Sequence, residues 1–129
     1  MRRRPRADYE AQTYSGVGGA GTAACSGDLL LGALAACTQL TSQMVAAALN
    51  LPVEGIEATV EGDLDLRGTL GGAKEVPAGF QAIRVAFNVQ APEASAEQLA
   101  SLAEKTERYC TVFQTLVQPP PIRTEWQTA

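Results

Sequence analysis

Ser26–Leu49 reads SGDLLLGALAACTQLTSQMVAAAL, the longest apolar stretch of the chain, and it carries one thiol, Cys37, near its middle. No charged residue falls between Leu29 and Leu49. Ser26 is placed to cap a helix, and Asp28 puts a negative charge in the first turn, where the dipole favours one. Asn50 and Pro52 then stop the helix. A helix this apolar belongs either in a protein core or in a membrane.

Length alone permits the membrane. Leu29–Leu49 at about 1.5 Å per residue reaches about 30 Å, the thickness of a bilayer core. Thr38, Gln39, Thr41, Ser42 and Gln43 make the second half polar for such a span, and no Lys or Arg lies close to either end to set its orientation. The expectation is therefore the buried central helix of a soluble protein.

Composition agrees. A chain of 129 residues is one domain, modest enough for burial in a dimer to help it. The net charge of −4 argues against nucleic acid and anionic lipid as partners. The opening RRRPR, with Arg4 and Arg6, reads as a solvated basic tail. No apolar stretch follows it soon enough to form a signal peptide, so a cytoplasmic protein is expected. The chain has no histidine, which removes Ser-His-Asp chemistry, Cys-His proteases and most zinc sites. Its three cysteines, Cys25, Cys37 and Cys110, form no CxxC pair. Thiol chemistry is the leading candidate, and no metal or cofactor is expected.

Around the helix the chain divides into an N-terminal part, 1–25, and a main α+β part, 26–129. The first holds the basic tail, a weak strand over 8–14 and a Gly-rich connector, SGVGGAGTAAC, with no GK[ST] to make a phosphate loop. In Val53–Gly68, Ile56, Ala58, Val60, Leu64 and Leu66 alternate with charged and polar residues, the pattern of a half-buried antiparallel strand with a wet acidic face. Gly79–Gln90 repeats it with Ile83, Val85, Phe87 and Val89, and the two strands are expected to pair as a long hairpin. Ser95 opens a helix with Gln98 as capping-box partner, and Leu99, Leu102, Ala103 and Thr106 form its inner face. Tyr109–Val117 is a second short helix beginning around Cys110; Pro119–Pro121 break it, and Ile122–Trp126 reads as a closing strand. One sheet layer covers one side of the central helix, so a partner subunit over the other is the natural inference.

DLLLGALAACTQLTSQMVA, VEGIEATVEGDLDLRG, GFQAIRVAFNV and EKTERYCTVFQTL together resemble the OsmC/Ohr family, osmotically inducible protein C and organic hydroperoxide resistance protein, over roughly residues 26–126. The resemblance rests on two cysteines in matching elements, one midway along the central helix and one starting a late helix. It implies an intertwined α+β homodimer in which each subunit packs a long helix against a curved antiparallel sheet. It also implies a thiol-dependent peroxidase acting on small organic hydroperoxides, with Cys37 peroxidatic, Cys110 resolving and an external dithiol as reductant. The helical neighbours of Cys37, namely Leu30, Ala33, Leu34, Leu40 and Met44, are expected to line an apolar substrate pocket.

The chain also departs from the family pattern. The peroxidases carry a glutamate about ten residues before the first cysteine, where this chain has Gly27, and they use an arginine from the N-terminal strands. An apolar wall raises a thiol pKa unless a cation lies nearby, so Arg4, Arg6 or Arg67 is expected to serve. Cys-Thr replaces the family's frequent Cys-Pro at Cys110. Cys25 is either incidental or an alternative resolving thiol. A second reading therefore stands beside the enzyme: a non-catalytic dimer of the same fold that binds a small apolar ligand or acts in stress response.

Overall fold

The computed structural model of the chain describes residues 25–128. The strand expected over 8–14, most of the Gly-rich connector, and Arg4 and Arg6 lie outside the described residues. Six elements follow in order: α1 (Ser26–Ala48), β1 (Gly55–Asp63), α2 (Leu66–Thr69), β2 (Ala82–Gln90), α3 (Ala96–Tyr109) and α4 (Thr111–Val117). This is an α+β arrangement in which α1 packs against β1, α3 and α4.

Ala, Leu, Met and Gln dominate α1 and favour the helix. Its N-cap is Cys25 rather than Ser26, which already lies in the first turn with Asp28. At the other end Asn50 takes a left-handed conformation, φ 52°. The Leu51 N–H donates to the Ala46 carbonyl at 2.9 Å and that of Asn50 to Ala47 at 3.1 Å, closing the helix in a Schellman motif. Helix α1 is long and apolar enough to cross a membrane by length and composition. Its hydroxyls explain how it serves as a core helix instead. Leu34, Thr38, Ser42 and Ala46 form one buried row at four-residue spacing. Thr38 donates back to Leu34 O at 2.8 Å, and Ser42 to Gln39 O at 2.8 Å. Small side chains let the neighbouring elements approach, and the hydroxyls are satisfied within the helix, so burying them costs little.

The hairpin has the expected phase. Ile56 pairs with Val89, Ala58 with Phe87 and Val60 with Val85, all on one face. On the other face Arg84 forks onto Asp63 at 2.8 and 2.9 Å. The first strand ends at Asp63, earlier than the alternation predicts. Asp65 accepts from the Arg67 N–H at 3.0 Å and caps α2, so Leu66 belongs to a helical turn. Gln39 reaches across from α1 and accepts the Ala58 N–H at 3.2 Å, tying the helix to β1. Ala46, Ile56 and Leu102 form the core, with Val45, Leu51, Val53 and Val89 packed against it.

Ser95 and Gln98 form the expected capping box of α3. Leu102 and Thr106 are its buried residues, whereas Leu99 and Ala103 of the expected inner face stay exposed. Thr106 is 2% exposed, and its hydroxyl has no hydrogen-bond partner among the described residues. Leaving a hydroxyl unpaired in a core costs about 1–3 kcal/mol, and Val has the same shape without it. Thr106→Val is therefore expected to raise stability by roughly 1 kcal/mol, read as a higher urea midpoint at unchanged slope; a lower midpoint would reveal a partner for that hydroxyl.

The C-terminal segment corrects one expectation. Residues 118–128 form neither helix nor strand, so the closing strand over Ile122–Trp126 is not present. Three prolines, Pro119–Pro121, end α4 and remove three backbone donors. Beyond them Ile122 is 88% and Trp126 91% exposed, with no neighbouring strand among the described residues.

Candidate functional site

Helix α3 runs antiparallel to α1: Leu49, Leu51, Ser95 and Gln98 border one depression, and Thr41, Tyr109 and Thr111 another. The end of α3 and the start of α4 therefore arrive beside the middle of α1. The junction is Cys110, which closes α3 and serves as N-cap of α4, a site that normally goes to a side-chain oxygen. Its Sγ accepts the Phe113 N–H at 3.4 Å, and the residue is 0% exposed.

Cys37 comes to the same turn from α1. At about 100° per residue it lies about 100° round the helix from buried Thr38, with Leu40 about 60° to the other side. Thr38 is 1% exposed and Leu40 60%, so Cys37 stands half-buried on the border between core and surface. The Val112 and Thr111 N–H groups, the Cys110 side chain and the Thr41 hydroxyl all act on the acidity of its sulfur. The two sulfurs thus share the first turn of α4. The Phe113 N–H donates to Cys110, and the Val112 N–H acts on both sulfurs. These are donors that a helix cannot satisfy internally.

The two thiols diverge in acidity. Burial pushes the Cys37 thiol up, but the Val112 amide, the Cys110 S–H, the Thr41 hydroxyl and the Thr111 amide together bring it below its ordinary value. Burial pushes the Cys110 thiol up as well. Burial is the largest influence there, and together with the hydrogen bond and charge of Cys37 it outweighs the Phe113 and Val112 amides. Of the two, Cys37 gives up its proton the more readily. No arginine is part of the arrangement among the described residues. Arg67 is held by Asp65 at 2.7 Å beside the hairpin, and Arg108 lies over the Tyr109 ring at 5.5 Å. Arg4 and Arg6, the other two candidates, lie outside the described residues; the groups that act on Cys37 among the described residues are amides, a thiol and a hydroxyl.

The five apolar neighbours of Cys37 do not gather into one cavity. Leu34 is buried and borders a depression of ≈ 280 Å³ with Phe80, Ile83, Phe113 and Leu116. Met44, 71% exposed, borders a different groove of ≈ 540 Å³. One wall of that groove is Met44, Val45, Ala48 and Leu49 of α1; Lys105 and Tyr109 form the other, and Thr41 and Thr111 sit at the end that adjoins Cys37. Leu30, Ala33 and Leu40 are exposed and border neither. Cys25 is not a resolving thiol within the chain. Twelve residues of helix set it about 18 Å from Cys37 along the axis, whereas a disulfide needs Cα atoms within about 7 Å.

Sequence reasoning missed Thr41 and the two α4 amides. Thr41 had a signal, since four residues after Cys37 is the next position up the same face. The amides had none until α4 was oriented. No group of His, Cys, Asp or Glu among the described residues is arranged to hold a metal ion.

Comparison with known proteins places this geometry. The OsmC-like protein family matches residues 19–125. No curated protein matches the chain in sequence. Among solved structures, the organic hydroperoxide resistance protein OsmC of Legionella pneumophila is similar with a TM-score of 0.63 at 18% identity, over 83% of this chain and 72% of that one. An OsmC like protein of Mycoplasma pneumoniae gives 0.65 at 20%, over 77% of this chain and 66% of that one. An OsmC-like protein of unknown function from Vibrio cholerae gives 0.56 at 16%, over 81% and 69%. At these identities the likeness is one of fold, a helix packed on a small antiparallel sheet with further helices behind it. The family match spans the central helix, the hairpin and the second thiol, and the chain belongs to the OsmC-like protein family.

Proposed function

We infer that the protein is a thiol-dependent peroxidase that reduces small organic hydroperoxides through Cys37 and Cys110. Family membership supports a redox or peroxide-stress role. The observation that carries the finer reading is the meeting of Cys37 and Cys110 at the first turn of α4, where the half-buried thiol is the more acidic and the fully buried one the less acidic. The Cys37 thiolate attacks the outer peroxide oxygen, the O–O bond breaks, and the leaving alkoxide takes a proton to depart as an alcohol. Cys37 is then a sulfenic acid. The Cys110 sulfur attacks it, water leaves, and a Cys37–Cys110 disulfide forms. An external dithiol reduces that bond by exchange and is itself oxidised to a disulfide. No cofactor takes part.

The reading includes a cytoplasmic homodimer. Ile122 and Trp126 are apolar side chains carried almost wholly in solvent on a segment with no strand partner among the described residues, and Leu40 is an exposed apolar position on α1. A second subunit would give such positions cover. One observation favours the alternative, a non-catalytic dimer of the same fold that binds a small apolar ligand or serves stress response: no cation among the described residues acts on Cys37.

Intact-mass spectrometry of the reduced protein after brief exposure to tert-butyl hydroperoxide separates the two. The enzyme is expected to lose two hydrogens per chain, mapped by peptide to Cys37–Cys110. Three unmodified thiols after prolonged exposure would establish the non-catalytic reading.

A further inference from the structure

Thr38 and Ser42 on α1 and Thr106 on α3 bury their hydroxyls in the helices. Thr38 donates to the Leu34 carbonyl and Ser42 to that of Gln39, each within its own helix. That bond is open to any threonine inside a helix, and the carbonyls of Leu102 and Ala103 stand at the same spacing behind Thr106. Thr106 does not make it, and its hydroxyl has no partner among the described residues. An idle donor in a core weakens the fold, so its retention calls for a role outside the resting state.

Its place on α3 indicates the role. Cys110 follows Thr106 by four residues, and the Cys110 N–H donates to the Thr106 carbonyl at 3.1 Å. The two residues are therefore neighbours on one face, about 40° apart round the helix. Helices α1 and α4 pack against α3, and neither carries a charged residue after Asp28. On α3 itself Glu104, Lys105, Glu107 and Arg108 stand about 100° or more round from Thr106. The groups on these elements that can gain charge beside Thr106 are thus the thiols of Cys110 and Cys37. Cys110 needs a further donor at one moment. Its resting sulfur accepts from the Phe113 N–H. To resolve a sulfenic acid it must attack as a thiolate, at a residue that is 0% exposed, where burial opposes the charge.

We propose that the Thr106 hydroxyl is the donor held for that moment: it turns about its Cα–Cβ bond and donates to the Cys110 sulfur as the thiolate forms. Its use in catalysis rests on the peroxidase reading. There the Cys110 thiolate attacks the Cys37 sulfur, the S–O bond breaks, and hydroxide leaves as water with the proton that Cys110 gave up. The hydrogen bond from Thr106 lowers the cost of the thiolate and is released once the disulfide has formed. The donor itself does not depend on the reaction, since a catalytically inert protein would retain it.

The bond can be read without the reaction. The difference in ultraviolet thiolate absorbance between Cys37→Ser and Cys37→Ser/Cys110→Ser, taken across pH on the full chain, is the titration of Cys110 alone, because the tyrosines and Cys25 cancel. Adding Thr106→Val should raise its titration midpoint by about one pH unit, the weight of one hydrogen bond to a charged group. Thr106→Ser should return it. With both cysteines present, one equivalent of tert-butyl hydroperoxide, acid quenching and intact mass separate the two steps. Oxygen should reach Cys37 at the same rate in Thr106→Val as in the wild type. Conversion to the disulfide should be about tenfold slower at neutral pH, with the deficit narrowing as pH rises. An unmoved Cys110 midpoint would overturn the assignment. So would a Thr106→Val protein less stable than the wild type, which would mean that the hydroxyl is already engaged elsewhere. A raised midpoint in a protein that forms no disulfide would leave the donor in place and remove the peroxidase reading.

Discussion

Cys37→Ser is expected to consume no tert-butyl hydroperoxide above the buffer rate, a loss of several orders of magnitude, while its far-ultraviolet spectrum and melting temperature stay close to those of the wild type. The residue is half-buried, and an oxygen replaces a sulfur without opening a large void. A serine hydroxyl remains protonated in the field of the same amides and is no nucleophile toward a peroxide oxygen. Cys110→Ser separates the two steps. With Cys37 intact, one equivalent of alcohol per chain should form, after which the protein stops with a mass gain of about 16 Da on the Cys37 peptide. Turnover by Cys110→Ser at the wild-type rate would mean that a thiol outside the pair resolves the sulfenic acid. It would not be Cys25 of the same chain, which the rigid first half of α1 holds too far away. Peroxide consumption undiminished in Cys37→Ser would refute the enzyme reading.

How much of this was legible in advance depended on whether the determinant was local. The α1 helix, the phase of the hairpin and the Ser95–Gln98 capping box all follow from residues a few positions apart, and all three are present. The short α4 starting at Cys110 was legible for the same reason. The early end of β1 was missed because Asp65 competes as a helix cap against a continuing alternation that Leu64 and Leu66 appear to extend. A local hydrogen bond won over periodicity.

The site itself was legible as two residues and illegible as an environment. Cys37 and Cys110 are 73 positions apart, and only the antiparallel crossing of α1 and α3 brings them to one turn. The apolar run around Cys37 calls for a cation, and of the three arginines expected to supply it only Arg67 is among the described residues, where Asp65 holds it; backbone donors are concealed in the sequence. The N–H groups of Thr111 and Val112 belong to no motif that a scan can find. They act because Cys110 sits at a helix start and directs that start at Cys37. The pocket expectation failed to gather for a related reason. Leu34 and Leu40 both lie near Cys37 on the helix, yet the edge of the packed face runs between them, so one is core and the other surface.

That same environment sets the second large effect, the pH dependence of alkylation. Only the thiolate reacts with iodoacetamide, so the rate at each cysteine rises with pH and levels off above its own pKa. Hydrogen bonds from the Val112 and Thr111 amides, the Cys110 S–H and the Thr41 hydroxyl outweigh burial at Cys37, and its profile should level off below the ordinary thiol value of 9.0. At Cys110 burial and the neighbouring Cys37 charge act together, so its profile should level off above 9.0. Between those two pH values Cys37 is modified in preference to Cys110, and peptide mapping after a short pulse should place nearly all the label of the pair on Cys37. Removing a donor moves the balance. In Thr41→Val the hydroxyl is lost at constant shape, and the Cys37 midpoint should move upward. Its rate at neutral pH should fall roughly tenfold, the weight of one hydrogen bond to a charged group. Thr41→Ser, which returns the hydroxyl, should restore most of it. Equal profiles at Cys37 and Cys110, unaffected by Thr41, would mean that the first turn of α4 does not hold a thiolate, and the chemistry assigned to the pair would lose its physical basis.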